Sequence, residues 1–435
     1  MGTLLLSGAD VLVHESGSWS VIKGGYVGID GDRIDYVASV RPMMQYQREK
    51  DLTGHLLMTG LYNLHTHTPM TLLRGLGSDL PLDRWLHEAM FPVEARLTPA
   101  DISVGTRLAM MEMLASGVVS FSDMYDRTQV TAGEVIKAGM KANLNRPILG
   151  FDPAEAYEAN TRARESLRFY DEYNGAGEGR ILADFSIHAE YTSFEQLVRP
   201  YAADCLKRGA RMHLHLSETV KEHEACKGRY GKTPAQWFLD LGVLDNPVIA
   251  AHCVAVEPAD IDILARQGVS CVHNPSSNMK LGSGFMPLQT MLERGINVAL
   301  GTDGAASNNN LNLFEEIHLA SLIHKGHSGD PTIIRPDDLL LMATLNGAKA
   351  QGRSDCGELA VGKKADLIAL DLQKPHLMPV HDITALLVYS AQASDVAMTM
   401  VDGAILYEHG TYLNIDLDKV LSDLDESVAR IFKTA

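Results

Sequence analysis

Leu61-Tyr62-Asn63-Leu64-His65-Thr66-His67 is an apolar run that ends on two histidines one residue apart. Residues two apart on a strand point to the same face, so both imidazoles can reach a common point. Alone the pair is weak evidence, because two satisfied polar residues look the same. The chain beyond it decides the fold. From residue 59 to 359, short apolar runs alternate with helical segments, as parallel βα units require. The runs are expected to end at His67, Met124, Gly150, Ala189, Ser217, Val254, Pro275 and Asp303. This succession predicts an α/β fold, a TIM-like (β/α)8 barrel, whose chemistry collects at the carboxyl ends of its strands. One helix start is explicit: Pro99 suits a first helical position, and Thr98 with Asp101 forms a capping box.

Outside that span the pattern changes. Residues 4–6, 10–14, 26–29 and 34–37 read as short strands parted by turns at Gly24-Gly25 and Asp30-Gly31-Asp32. Strand character returns at 365–370, 396–401 and 404–407, around turns at Asp402-Gly403 and His409-Gly410. Both ends are therefore expected to build one small β-sandwich domain, residues 1–58 with 360–435, beside a catalytic domain of 59–359. The 435 residues leave room for such a barrel, which needs about 250.

The formal charge is −17, which repels phosphate backbones and anionic headgroups, so neither nucleic acid nor membrane is an expected partner. Acidity of this kind also simply keeps a protein soluble, and no substrate follows from it. The apolar start lacks a basic n-region and a small-residue cleavage site, so a cytoplasmic protein is expected. Its five cysteines form an odd set without CxxC spacing and read as reduced, mostly buried thiols. Assembly into a homo-oligomer is left open by the sequence.

Metal-type side chains recur at the expected strand ends. His213-Leu214-His215-Leu216-Ser217-Glu218 puts an imidazole and then a carboxylate just past the fifth strand. His215 is the ligand candidate there, whereas His213 lies deeper and reads as a hydrogen-bonded core histidine. His252 follows an apolar run, and Asp303 closes another within Gly301-Thr302-Asp303-Gly304. Imidazoles with one carboxylate suit zinc, while iron(II), manganese and nickel satisfy the same residue types. The fourth strand end, Ile187-His188-Ala189-Glu190, offers no Lys to bridge a second ion, which argues for one divalent cation per chain.

These stretches, with His273-Asn274-Pro275-Ser276-Ser277-Asn278-Met279-Lys280-Leu281 and Gly301 to Asn308, resemble the amidohydrolase superfamily over nearly the full length. The resemblance is closest to its aminohydrolase branch, and within it to the methylthioadenosine and S-adenosylhomocysteine deaminases. Leu72-Leu73-Arg74-Gly75, Trp85-Leu86 and Phe91-Pro92-Val93-Glu94 match the first loop of those deaminases. Thr59 departs from a Pro usual before the glycine, and the loop 151–159 is longer than the pattern. The resemblance implies that His65, His67, His215 and Asp303 bind the cation. It also implies that Asp303 takes a proton from the attacking water, that Glu218 protonates the ring nitrogen beside the attacked carbon, and that His252 orients the nucleophile.

By the same resemblance, Trp85, Glu94, Arg146, Arg162, His188 and Ser307 would hold a small-molecule nucleoside, Glu94 through its ribose hydroxyls. From the residues alone, Trp85 reads equally as core, Glu94 as a helix-end carboxylate, His188 as a buried satisfied histidine and Ser307 as a loop serine. The expected activity is hydrolytic deamination of an adenine nucleoside such as methylthioadenosine, S-adenosylhomocysteine, adenosine or 5′-deoxyadenosine. A guanine or pterin deaminase, or a triazine chlorohydrolase, would use the same metal residues. A catalytically dead barrel kept as a binding module is the third reading, and the intact ligand set argues against it.

Overall fold

The computed structural model describes residues 2–432, so Met1 and residues 433–435 of the expected small domain lie outside it. The central strands run in chain order as β1 (Leu61–Thr66), β2 (Val118–Met124), β3 (Lys141–Asn145), β4 in two pieces (Ile181–Ala183 and Phe185–Ile187), β5 (Met212–Leu216), β6 (Val248–His252), β7 (Ser270–His273) and β8 (Asn297–Leu300). All of their pairings are parallel. Nearly every residue in them is buried, the pattern of strands covered on both faces.

Two sheets result, one from β1 to the first piece of β4 and one from the second piece of β4 to β8. Asp184 divides β4, so one strand serves both sheets. At the other seam the Asp303 amide donates to the His65 carbonyl at 2.9 Å, and the Thr302 amide to Asn63 Oδ1 at 3.0 Å. Among the described residues no ladder of paired strand residues joins β8 to β1.

Several strands stop short of their expected ends. β3 ends at Asn145, since Pro147 has no amide to donate; the chain then stays extended and meets β4 in the single bridge Ile148 to Ile187. β7 ends at His273 because Pro275 opens a helical turn, Pro275–Lys280.

Both termini do share one sheet. Its nine strands are Gly2–Glu15, Ser18–Asp30, Arg33–Ala38, Tyr46–Asp51, His55–Thr59, Leu367–Asp371, Val396–Val401, Ala404–Glu408 and Thr411–Tyr412. The two short runs expected at 4–6 and 10–14 form one strand, interrupted only by register shifts around Gly8, whose φ is +81°. Gly60 alone separates this sheet from β1, and a Cβ there would lie 2.2 Å from Val119 Cγ1, so no other residue fits.

Helix α1 (Pro99–Ala115) starts as expected, with the Thr98 amide donating to Asp101 Oδ2 at 2.6 Å. Helix α2 (Val220–Tyr230) follows β5 with Thr219 as its cap. The last helix, α3 (Leu417–Ile431), lies against α1 rather than against the terminal sheet. Arg107 reaches Asp423 at 2.7 Å, Arg430 pairs with Asp101, and fully buried Ile431 joins an apolar cluster with Leu73, Trp85, Val93, Leu97 and Ile102. No helix among the described residues is long and apolar enough to cross a membrane.

Candidate active site

The strand-end residues named from the sequence converge. Ligand atoms of His65, His67 and Asp303 lie within 4.8 Å of one another, as do those of His65, His215 and His252. Asp303 Oδ1 is 3.4 Å from His65 Nε2 and 3.2 Å from His67 Nε2. Buried His65 Nε2 has no hydrogen-bond partner among the described residues, so a good donor atom points into the cluster unspent.

Tautomers are fixed from behind. His67 Nδ1 donates to the Met124 carbonyl at 2.6 Å, His215 Nδ1 to the His188 carbonyl at 2.7 Å and His252 Nδ1 to Asn278 Oδ1 at 2.9 Å. Each leaves Nε2 with a free lone pair facing the centre, the form a cation needs. Asp303 Oδ2 accepts from the Ser277 and Ser307 hydroxyls, both at 2.7 Å, which orients Oδ1 toward the histidines. The donor set therefore fits a divalent cation of the zinc type.

Four residues at these strand ends hold left-handed backbone: Ser217 (φ 47°), His252 (71°), Cys253 (48°) and Asp303 (63°). Each costs on the order of 1–3 kcal/mol and is retained where the surroundings over-determine it. The turns aim Glu218 and Asp303 inward.

The cluster opens into a cleft of about 420 Å³ lined by His67, Trp85, Glu94, Arg162, His188, Glu218 and Asp303 among others. Glu218 is buried, with Oε2 4.0 Å from His252 Nε2. Burial pushes its carboxyl up, opposed by His252 and reinforced by Asp303. Burial also works to raise Asp303, but the contacts with His65 and His67 hold it well below the usual carboxylate range. Glu94 accepts from the Tyr125 hydroxyl at 2.5 Å, and burial raises its carboxyl against that bond. His188 is pushed down to about 3 by burial and is therefore neutral. Trp85 Nε1 has no acceptor among the described residues.

Two expected substrate residues stand elsewhere. Ser307 is buried behind Asp303, to which its one hydroxyl hydrogen is donated, so it supports that carboxylate instead of facing the cleft. Arg146 lines a neighbouring hollow of about 330 Å³ and donates to Asp126 at 3.0 Å. Arg162 does line the cleft, with both Asp126 oxygens already engaged by it.

Beyond this geometry, the amidohydrolase family model matches residues 56–406, most of the chain. The chain belongs to the amidohydrolase family. This amidohydrolase is 42% identical to the 5-methylthioadenosine/S-adenosylhomocysteine deaminase of Acetivibrio thermocellus, over 99% of this chain and 100% of that one. It is 41% identical to the 5′-deoxyadenosine deaminase of Methanosarcina acetivorans, over 99% of both. Among solved structures, a zinc-bound adenosine deaminase from Xanthomonas campestris superposes on the amidohydrolase with a TM-score of 0.93 at 31% identity, covering 100% of this chain and 99% of that one.

Sequence reasoning missed the amidohydrolase's supporting residues. Tyr125 and Asn145 reach the site from elements whose sequence neighbourhoods announce no chemistry, while Ser277 and Asn278 stand in a stretch that carries the resemblance but were given no role. Asp123 is another: its Oδ1 takes the Thr66 hydroxyl at 2.9 Å and the Thr68 amide at 2.6 Å, setting the turn that carries His67.

Proposed function

We propose that this chain catalyses hydrolytic deamination of adenine nucleosides, with 5′-methylthioadenosine, S-adenosylhomocysteine, adenosine and 5′-deoxyadenosine as substrates. The products are the inosine analogue and ammonia. We take the central strands as one closed barrel, residues 59–359, with residues 1–58 and 360–435 forming a β-sandwich domain beside it. A single zinc ion would be held by His65, His67, His215 and Asp303. When bound, such a cation lowers the pKa of a water toward neutrality and so makes a nucleophile available.

The chain's own groups do the rest. Asp303 accepts the proton as water adds to the ring carbon that carries the exocyclic amine. Glu218, whose carboxyl burial pushes up, delivers a proton to the adjacent ring nitrogen, so the tetrahedral adduct carries no ring charge. His252 presents Nε2 to the incoming oxygen and fixes its direction. Asp303 then returns its proton to the amine, the C–N bond breaks as the adduct's hydroxyl becomes the carbonyl and gives its proton back to Glu218, and ammonia leaves. Glu94 accepts the ribose hydroxyls, Trp85 donates from Nε1, and neutral His188 borders the base.

The observation that carries this reading is the meeting, in one cleft, of the cation donors, the buried acid Glu218 and the half-buried carboxylate Glu94. The test is ammonia release and the accompanying ultraviolet change with zinc-loaded protein and each of the four nucleosides. Turnover of at least one is expected; silence with all four overturns the reading.

A further inference from the structure

His65 differs from the other three histidines of the cluster. Its Nδ1 meets another imidazole, His213 Nε2, at 3.0 Å, where the others meet an oxygen. His213 Nδ1 in turn lies 3.1 Å from Asn145 Nδ2. His65, His213 and Asn145 are all fully buried. With both rings neutral, one proton sits in each of the two contacts, and the asparagine decides which way the whole row points.

If the Asn145 amide nitrogen donates, His213 must carry its hydrogen on Nε2 and give it to His65 Nδ1. His65 then bears its own hydrogen on Nε2 and has no lone pair to offer. Turning the amide by half a rotation reverses every bond, and which end is oxygen is fixed by hydrogen-bond logic. In the first orientation Asn145 Oδ1 has no donor among the described residues, and the reversed amide supplies one, the His213 Nδ1–H. His65 Nδ1–H then donates to His213 Nε2, and His65 Nε2 faces Asp303 with its lone pair free.

We propose that Asn145 and His213 form a tautomer relay that gives His65 the lone pair with which it grips the cation. This rests on the cation site of the proposed function. Both are positioning residues: neither lines the cleft, and they act only through His65. His213, which reads from sequence as a core histidine, thereby acquires a task.

The experiment measures zinc dissociation constants by chelator competition for wild type, Asn145→Asp and Asn145→Leu, with circular dichroism of each zinc-free protein as the check on folding. Asp keeps the acceptor and should bind within about threefold of wild type. Leu removes it and should weaken binding about 10–100-fold, the usual effect of losing a group behind a metal-binding histidine. Equal affinities for Leu and wild type, or equal losses for Asp and Leu, overturn the relay. A wild type without a tight site overturns the cation reading beneath it, which is a distinct result. Histidine 15N spectra of zinc-loaded wild type are independent of folding in the variants. They should report Nδ1–H at His213; Nε2–H there overturns the proposal.

Discussion

Glu218 and Glu222 sit four residues apart, and burial gives them different tasks. Glu218 faces the cleft, and replacing it by Gln should leave one zinc per chain while lowering kcat about 10²–10⁴-fold, the range for loss of a positioned acid. Equal turnover would remove it as the proton donor. Glu222 does not line the cleft; its Oε2 accepts from the Glu218 amide at 2.8 Å, and Oε1 has no partner among the described residues. Burial, then the charges of Glu218 and Glu190, raise its carboxyl from 4.5 to about 8. Its folded pKa exceeds its unfolded one, so its contribution to stability is whole below pH 4.5 and is lost as pH rises toward 8. Glu222→Gln should therefore flatten the fall in melting temperature across that window, and an unchanged slope would assign it to other groups.

At the scale of elements, the strand ends were legible and their supports were not. His65, His67, His215, Glu218, His252 and Asp303 stand at strand ends because apolar runs stop there, which a sequence displays directly. Gly150 and Pro275 misled as strand ends because Pro147 and Pro275 remove amides before the apolar pattern runs out. Helix α3 was missed altogether as part of the catalytic surroundings, since the strand-rich pattern at 365–407 drew the whole end of the chain into the small domain. Its position makes a prediction. Ile431 belongs to the same apolar cluster as Trp85 and Leu97, which line the cleft that holds the nucleoside in the proposed function. Ile431→Ala should cost about 2–3 kcal/mol of stability, as truncations of buried aliphatic chains do, and should raise KM several-fold with kcat changed less than twofold. An unchanged KM would show that α3 does not steady the first loop.

At the scale of the molecule, the proposed ion and the fold would support each other. A ligand bound only by the native state stabilises it by about 4 kcal/mol at a thousand times its Kd. Removing zinc with a chelator should abolish turnover and lower the melting temperature by several degrees, and zinc should restore both. Full activity in chelator would exclude a metal-dependent reaction.

That support has a definite place. Asn63 and Thr302 are 239 residues apart, and among the described residues no strand ladder closes the margin where they touch. His65 and His67 flank it on one side and Asp303 on the other. A cation bound there would work as a clasp on a belt whose two ends are otherwise held by a few threads, the hydrogen bonds joining Asn63 and His65 to Thr302 and Asp303. The protein would then be cinched shut by the atom that does its chemistry, and a chain folded without it would stay loosest at its own buckle.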